Sequence, residues 1–287
     1  MVIDAHYHLD ERVQPIEGLL EQMDRSGVEQ IALIPCMNEP IFWNKLIDRA
    51  SGLVRIALTG RGRPFGMRFY ENMVTPDGKF IVFGRNHAIY DQPDHEPVAG
   101  ALRRYPDRFF GWVFVNPSQC DPIPMLEKWS REPGWIGAKS HPFMHRYPVA
   151  QLDDVAAWCS ERGWPLLVHL GADPERGNFR WLPERHPDLK ILFAHAGVPF
   201  FQELWDFARG KENLYVDLSS PAYVDRRIML GAVRALGAEK CLFGSDGPYC
   251  GVDHAKMVQT TLGLPLSAKE HEQILCQNFL DLVGIPA

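Results

Sequence analysis

The 287 residues are 46% hydrophobic and 23% charged, ordinary proportions for a soluble globular chain with enough apolar material for a large core. A formal net charge of -6, with no dense Lys/Arg block, excludes the electrostatic footprint of a nucleic-acid or anionic-lipid binder. No apolar run reaches a membrane span, Met1-Val2-Ile3-Asp4-Ala5-His6 has no leader-peptide pattern, and six scattered cysteines without a C-x-x-C pair are expected as reduced thiols in a cytoplasmic protein.

Eight short β-rich runs recur along the chain: Val2–Leu9, Gln30–Cys36, Phe109–Val115, Trp135–Ser140, Leu166–Leu170, Lys190–Ala194, Leu214–Leu218 and Cys241–Ser245. Ile31-Ala32-Leu33-Ile34 and Leu166-Leu167-Val168 are apolar without alternation, as parallel strands covered on their outer faces require. The covering helices are expected over Pro15–Gly27, Val98–Tyr105, Pro122–Arg131, Leu152–Gly163, Phe179–His186, Phe200–Gly210, Val224–Gly237 and Val252–Leu262, where apolar residues recur at three- and four-residue spacing. Eight βα units predict an α/β fold closed as a (β/α)8 TIM barrel, a single domain over 1–287. Ser267, followed by Glu270 three residues on, starts an extra C-terminal helix to Val283.

The rhythm breaks once. Residues 37–97 separate the second strand from its helix, far beyond an ordinary βα loop, and such an insertion would overhang the active-site mouth. Inside it Phe69–Val74 and Phe80–Gly84 flank Asp77-Gly78, which predicts a β-hairpin. Arg55, Arg61, Arg63, Arg68 and Arg85 make the insertion locally basic, and the arginine fork suits carboxylate recognition as well as a solvated face.

His6 and His8 lie two apart on the first strand, so both imidazoles point to one side. His169, His195 and Asp246 close the fifth, sixth and eighth strands. The C-terminal ends of barrel strands converge on one mouth, so these residues are expected to meet there, and imidazole with carboxylate is a ligand set for zinc or a similar divalent ion. His87, His95, His145, His186, His254 and His271 lack that placement and read as surface residues or substrate contacts.

Ile3-Asp4-Ala5-His6-Tyr7-His8, Gly137-Ala138-Lys139-Ser140-His141-Pro142, the two strand-end histidines with their glycines, and Leu242-Phe243-Gly244-Ser245-Asp246-Gly247-Pro248 together resemble the amidohydrolase superfamily. Within it they resemble the amidohydrolase-related group that also holds metal-dependent decarboxylases, over nearly the whole chain. The resemblance implies that His6, His8, His169 and Asp246 bind the metal, zinc first and manganese as the alternative, while His195 polarises the substrate or water and Asp246 moves the proton. For Lys139 it implies either a carboxylated bridge between two metals or a substrate contact, beside a plain ion-pair reading; one metal is favoured over two. Asp217 either touches substrate or holds the rim.

These readings lead to a metal-dependent hydrolase of a C–N, lactone or ester bond in a small carboxylated metabolite, with Asp246, His195 and Lys139 catalytic and Arg61, Arg63, Arg68 and His141 on the substrate. A metal-dependent non-oxidative decarboxylase is the rival, and a non-enzymatic metal-binding barrel a distant third. The expected partner is a small molecule, with no nucleic acid or membrane; a homo-oligomer stays open.

Overall fold

The computed structural model describes residues 1–60, 62–82 and 84–285. Among the described residues ten strands run in chain order: β1 (Ile3–Leu9), β2 (Gln30–Pro35), β3 (Lys79–Val82), β4 (Arg85–Ala88), β5 (Phe109–Val115), β6 (Trp135–Ser140), β7 (Leu166–Val168), β8 (Ile191–Phe193), β9 (Leu214–Asp217) and β10 (Cys241–Leu242). Eight form one parallel sheet in the order β1-β2-β5-β6-β7-β8-β9-β10. The sheet closes back on itself where the segment after β10 meets β1. Ala5 N donates to Phe243 O (3.0 Å), Asp246 N to His6 O (2.7 Å) and His8 N to Gly247 O (2.7 Å). This is a TIM barrel, and its strands are buried on both faces because helices cover them outside and side chains fill them inside.

Local chemistry explains the helix limits. Gly27, at φ +71, ends helix Ile16–Ser26 in the left-handed conformation that a Cβ disfavours. Asp225 and Asp253 cap helices Arg226–Leu236 and His254–Leu262 by accepting from Ile228 N and Lys256 N. The expected capping box is present at Ser267 and Glu270, but the C-terminal helix is interrupted: Ala268–Glu272 and Asn278–Val283 flank a π-helical turn over Gln273–Gln277. Asn278 donates from Nδ2 to Cys241 O (2.7 Å), anchoring that helix at the start of β10.

The insertion differs from expectation. It carries two helices, Lys45–Thr59 and Arg63–Glu71, before the antiparallel pair β3 and β4. The turn at Asp77-Gly78 is where the sequence placed it, with Gly78 at φ +72, but its first arm shrinks to an isolated bridge between Val74 and Phe80. Phe69 and Tyr70 favour strands by propensity. Tertiary contact overrides this, because the second helix packs so closely on the first that a Cβ on Gly66 would stand 2.3 Å from Ala57 O.

Candidate metal centre and active site

β1 carries Asp4, His6 and His8 on alternate positions, so all three face inward, buried to 2% exposure or less. Asp4 works below the site: its carboxylate accepts from His6 N (3.0 Å) and Ser245 N (3.0 Å) and pairs with His254 Nε2 (2.9 Å). It ties β1 to the segment bearing Asp246. That segment approaches β1 closely enough that a Cβ on Gly247 would lie 2.3 Å from the Tyr7 ring, which is why the motif needs glycine there. Asp246 and His195 adopt left-handed backbone (φ +65 and +54), which costs a non-glycine residue on the order of 1–2 kcal/mol and turns both side chains into the mouth.

Asp246 is the hub. Its Oδ1 lies 3.5 Å from both His6 Nε2 and His8 Nε2, and its Oδ2 4.0 Å from His195 Nε2. The ligand atoms of His6, His8 and Asp246 lie within 4.8 Å of one another. Burial pushes the His8 and His195 imidazoles down to about 4, against the opposing pull of Asp246, so both are neutral at pH 7. Burial alone would raise the Asp246 carboxyl, but the facing imidazoles hold it below the usual carboxylate range.

A hydrogen-bond chain assigns the tautomers. Asp217 can only accept, so His6 donates from Nδ1 to its Oδ2 (2.9 Å), which leaves His6 Nε2 as a lone pair facing Asp246. That nitrogen is buried with no hydrogen-bond partner among the described residues. Ser219 donates to the other oxygen of Asp217, His195 Nδ1 to Ser219 Oγ (2.8 Å) and His169 Nδ1 to His195 Nε2 (3.0 Å), while His169 Nε2 lies 2.9 Å from Tyr70 OH, which donates to Tyr223 OH (3.2 Å). Two imidazoles and an ionised carboxylate, one imidazole held through Nδ1 by a carboxylate behind it with its Nε2 turned to Asp246, are the donor set a divalent ion takes.

Of the expected ligands, His6, His8 and Asp246 are thus brought together. His169 is adjacent, but both its ring nitrogens are engaged, with His195 and Tyr70. His141 stacks on His169 with ring centroids 3.9 Å apart. Lys139 is fully buried, its Nζ without a hydrogen-bond partner among the described residues, and burial lowers it to about 8 against the attraction of Asp217 and Asp246.

Of the insertion arginines expected on the substrate, neither Arg63 nor Arg68 lines the cavity. Arg63 pairs with Glu203 (Nη1 to Oε2, 2.9 Å), Arg68 is exposed and outside the cavity lining, and Arg61 lies outside the described residues. Two of the histidines read as surface residues or substrate contacts are instead buried and structural. His95 Nε2 accepts from Phe114 N (2.9 Å), and His254 serves Asp4, because each sits where a helix packs onto the barrel.

Residues outside the sequence expectation complete the site. Asp4 was within reach, since it shares the parity of His6 and His8. Ser219 and Tyr70 carried no local signal. Tyr70 reaches the site from the insertion, stacked on Phe143 at 4.0 Å between centroids. Above this floor opens a cavity of about 670 Å³, reaching from His8 and Asp246 to the insertion helices.

The sequence model of the family described as Amidohydrolase matches residues 72–285. No curated protein matches the chain. Among solved structures it is similar to an uncharacterised TIM-barrel protein from Bordetella bronchiseptica, at 16% identity and TM-score 0.67 over 99% of this chain and 98% of that one. It is similar also to a probable 2-pyrone-4,6-dicarboxylic acid hydrolase from Acinetobacter baumannii with citric acid bound (13%, TM-score 0.65, 99% of each chain). A third is 5-carboxyvanillate decarboxylase from Sphingomonas paucimobilis (15%, TM-score 0.59, 99% of each). At such identities the likeness carries the barrel fold and no particular reaction.

Proposed function

The chain belongs to the amidohydrolase family, and from that premise we propose that it is a metal-dependent hydrolase opening an ester, lactone or amide bond. The observation that carries this is the ionised Asp246 carboxylate, 3.5 Å from two imidazole nitrogens on the floor of a cavity large enough for a small organic substrate. His6, His8 and Asp246 would hold a single zinc ion, with manganese the alternative. When bound, the metal supplies a Lewis acid and lowers the pKa of water toward neutrality.

The chain's own groups do the rest. Asp246 takes a proton from the attacking water and passes it to the departing oxygen or nitrogen, so that one water is consumed and an acid plus an alcohol or amine is released. His195 stands 4.0 Å from Asp246 Oδ2 and lines the cavity, so its ring borders the place of the bound carbonyl. Asp217 holds the His6 ring through Nδ1 and the His195 backbone through its N–H (2.9 Å).

The experiment supplies zinc or manganese to the purified protein and follows acid and carbon dioxide release over a panel of esters, lactones, amides and aromatic acids. Release of a carboxylic acid without carbon dioxide is expected. Carbon dioxide as the product would replace this reading with a decarboxylase. Less than about one equivalent of metal, with no turnover, would remove the metal centre.

A further inference from the structure

We propose that the substrate is uncharged and apolar-bodied: an ester, lactone or amide whose carbonyl reaches the floor while an aryl or alkyl body fills the chamber built by the insertion. This rests on the hydrolase reading above and names the substrate class of the same site.

The chamber's composition carries the inference. The insertion supplies one wall with Leu53, Val54, Ala57, Phe69 and Met73, and Phe143, Met144, Tyr223 and Tyr249 face it from the barrel. Among the described residues no arginine or lysine lines the space. Of the described arginines near it, Arg63 pairs with Glu203, Arg55 with Asp225, Arg176 with Glu71 and Asp173, and Arg146 donates to Val74 O. The amides of the wall each give one N–H to backbone, Asn72 Nδ2 to Arg68 O (2.8 Å) and Asn38 Nδ2 to Glu39 O (2.7 Å).

A carboxylate lodged in the body of this space, away from the ion proposed at the floor, would lose its hydration with no cation among the described wall residues to replace it. Apolar groups meet the opposite balance. At the mouth Leu53 and Phe69 line the cavity and yet stand 68% and 59% exposed, an apolar rim of the kind that marks a binding site for apolar partners. The volume suits a body of ordinary small-ligand size, wider than a bare two- or three-carbon acid needs.

Binding can be tested apart from turnover with neutral phenyl ketones, which offer a carbonyl that cannot be hydrolysed. Affinities of acetophenone, butyrophenone and hexanophenone for the metal-loaded protein are measured by calorimetry beside 1,3,5-benzenetricarboxylate. Affinity is expected to rise by about fourfold per methylene, the factor for burying one CH2, with the tricarboxylate weaker than every ketone. Phe69→Asp, at an exposed rim position, should weaken hexanophenone by roughly tenfold or more, and Met73→Ala should flatten the chain-length series. Equal or tighter binding of the tricarboxylate, no chain-length dependence, or unchanged affinity in a folded Phe69→Asp would overturn the proposal. Ketones that bind as stated, with no hydrolysis of the matching phenyl esters and anilides, would leave the apolar preference standing and remove the hydrolase reading instead.

Discussion

Asp246 and Asp217 are both buried carboxylates held ionised by imidazoles, yet their partners divide their work. Asp246 faces the open cavity with lone pairs free for an ion or a proton, whereas Asp217 has both oxygens committed to His6, His195 and Ser219. Asp246→Asn keeps the shape and removes the proton acceptor, so the turnover number should fall by roughly two orders of magnitude or more. A near-native rate would move proton transfer to another group. Asp217→Asn leaves the cavity untouched but frees the His6 tautomer, and zinc affinity should fall by about 10–100-fold, read by competition with a colorimetric chelator. Unchanged affinity would mean that packing alone orients His6.

The closing segment after β10 and the insertion each show how an element decides what a residue does. Gly247→Ala would push a Cβ into the Tyr7 ring, costing about 1–3 kcal/mol in urea unfolding. It should also lower zinc content, because the same segment carries Asp246; loss of stability with full zinc occupancy would separate closure from the site. In the insertion, Tyr70 and Glu71 latch helix Arg63–Glu71 to the barrel through His169, Arg176 and Ala172 N, while Arg63 and Arg68 point away from the cavity. Arg63→Ala should cost no more than ~1 kcal/mol of stability, the scale of an exposed ion pair. Neither it nor Arg68→Ala should change the Michaelis constants of acidic substrates relative to neutral ones. A selective rise for acidic substrates would return the insertion arginines to substrate recognition.

At the scale of the whole barrel, the metal centre joins strands distant in sequence. His6 and His8 come from β1 and Asp246 from the segment after β10, so an ion held by all three staples the seam that closes the sheet. Binding to the folded state alone adds about 2.7 kcal/mol at a free metal concentration of 100 Kd. For a chain of this size that corresponds to a melting point higher by roughly 4–5 °C. Chelator-treated protein should melt lower by that amount and recover on adding zinc. Coincident melting curves with and without metal would mean that the seam holds without it.

What the sequence determined by itself was whatever depends on local periodicity. Unbroken apolar runs marked the parallel strands, and Phe109–Val115 and Trp135–Ser140 match the observed strands to the residue. Period-two alternation put His6 and His8 on one face, and strand ends placed Asp246 and His195 at one mouth. It would have found Asp4 by the same rule. The tertiary structure decided everything that depends on which surface meets which. Propensity favoured a strand at Phe69 and Tyr70, but docking of the second insertion helix made it a helix and delivered Tyr70 to His169. Five arginines in one segment gave it positive charge without direction, and the packing of two helices turned Arg63 toward Glu203 and left the cavity apolar. A side chain's direction on a strand is set by its neighbours in sequence; on an inserted helix it is set by how the helix docks, a contact between residues far apart in the chain.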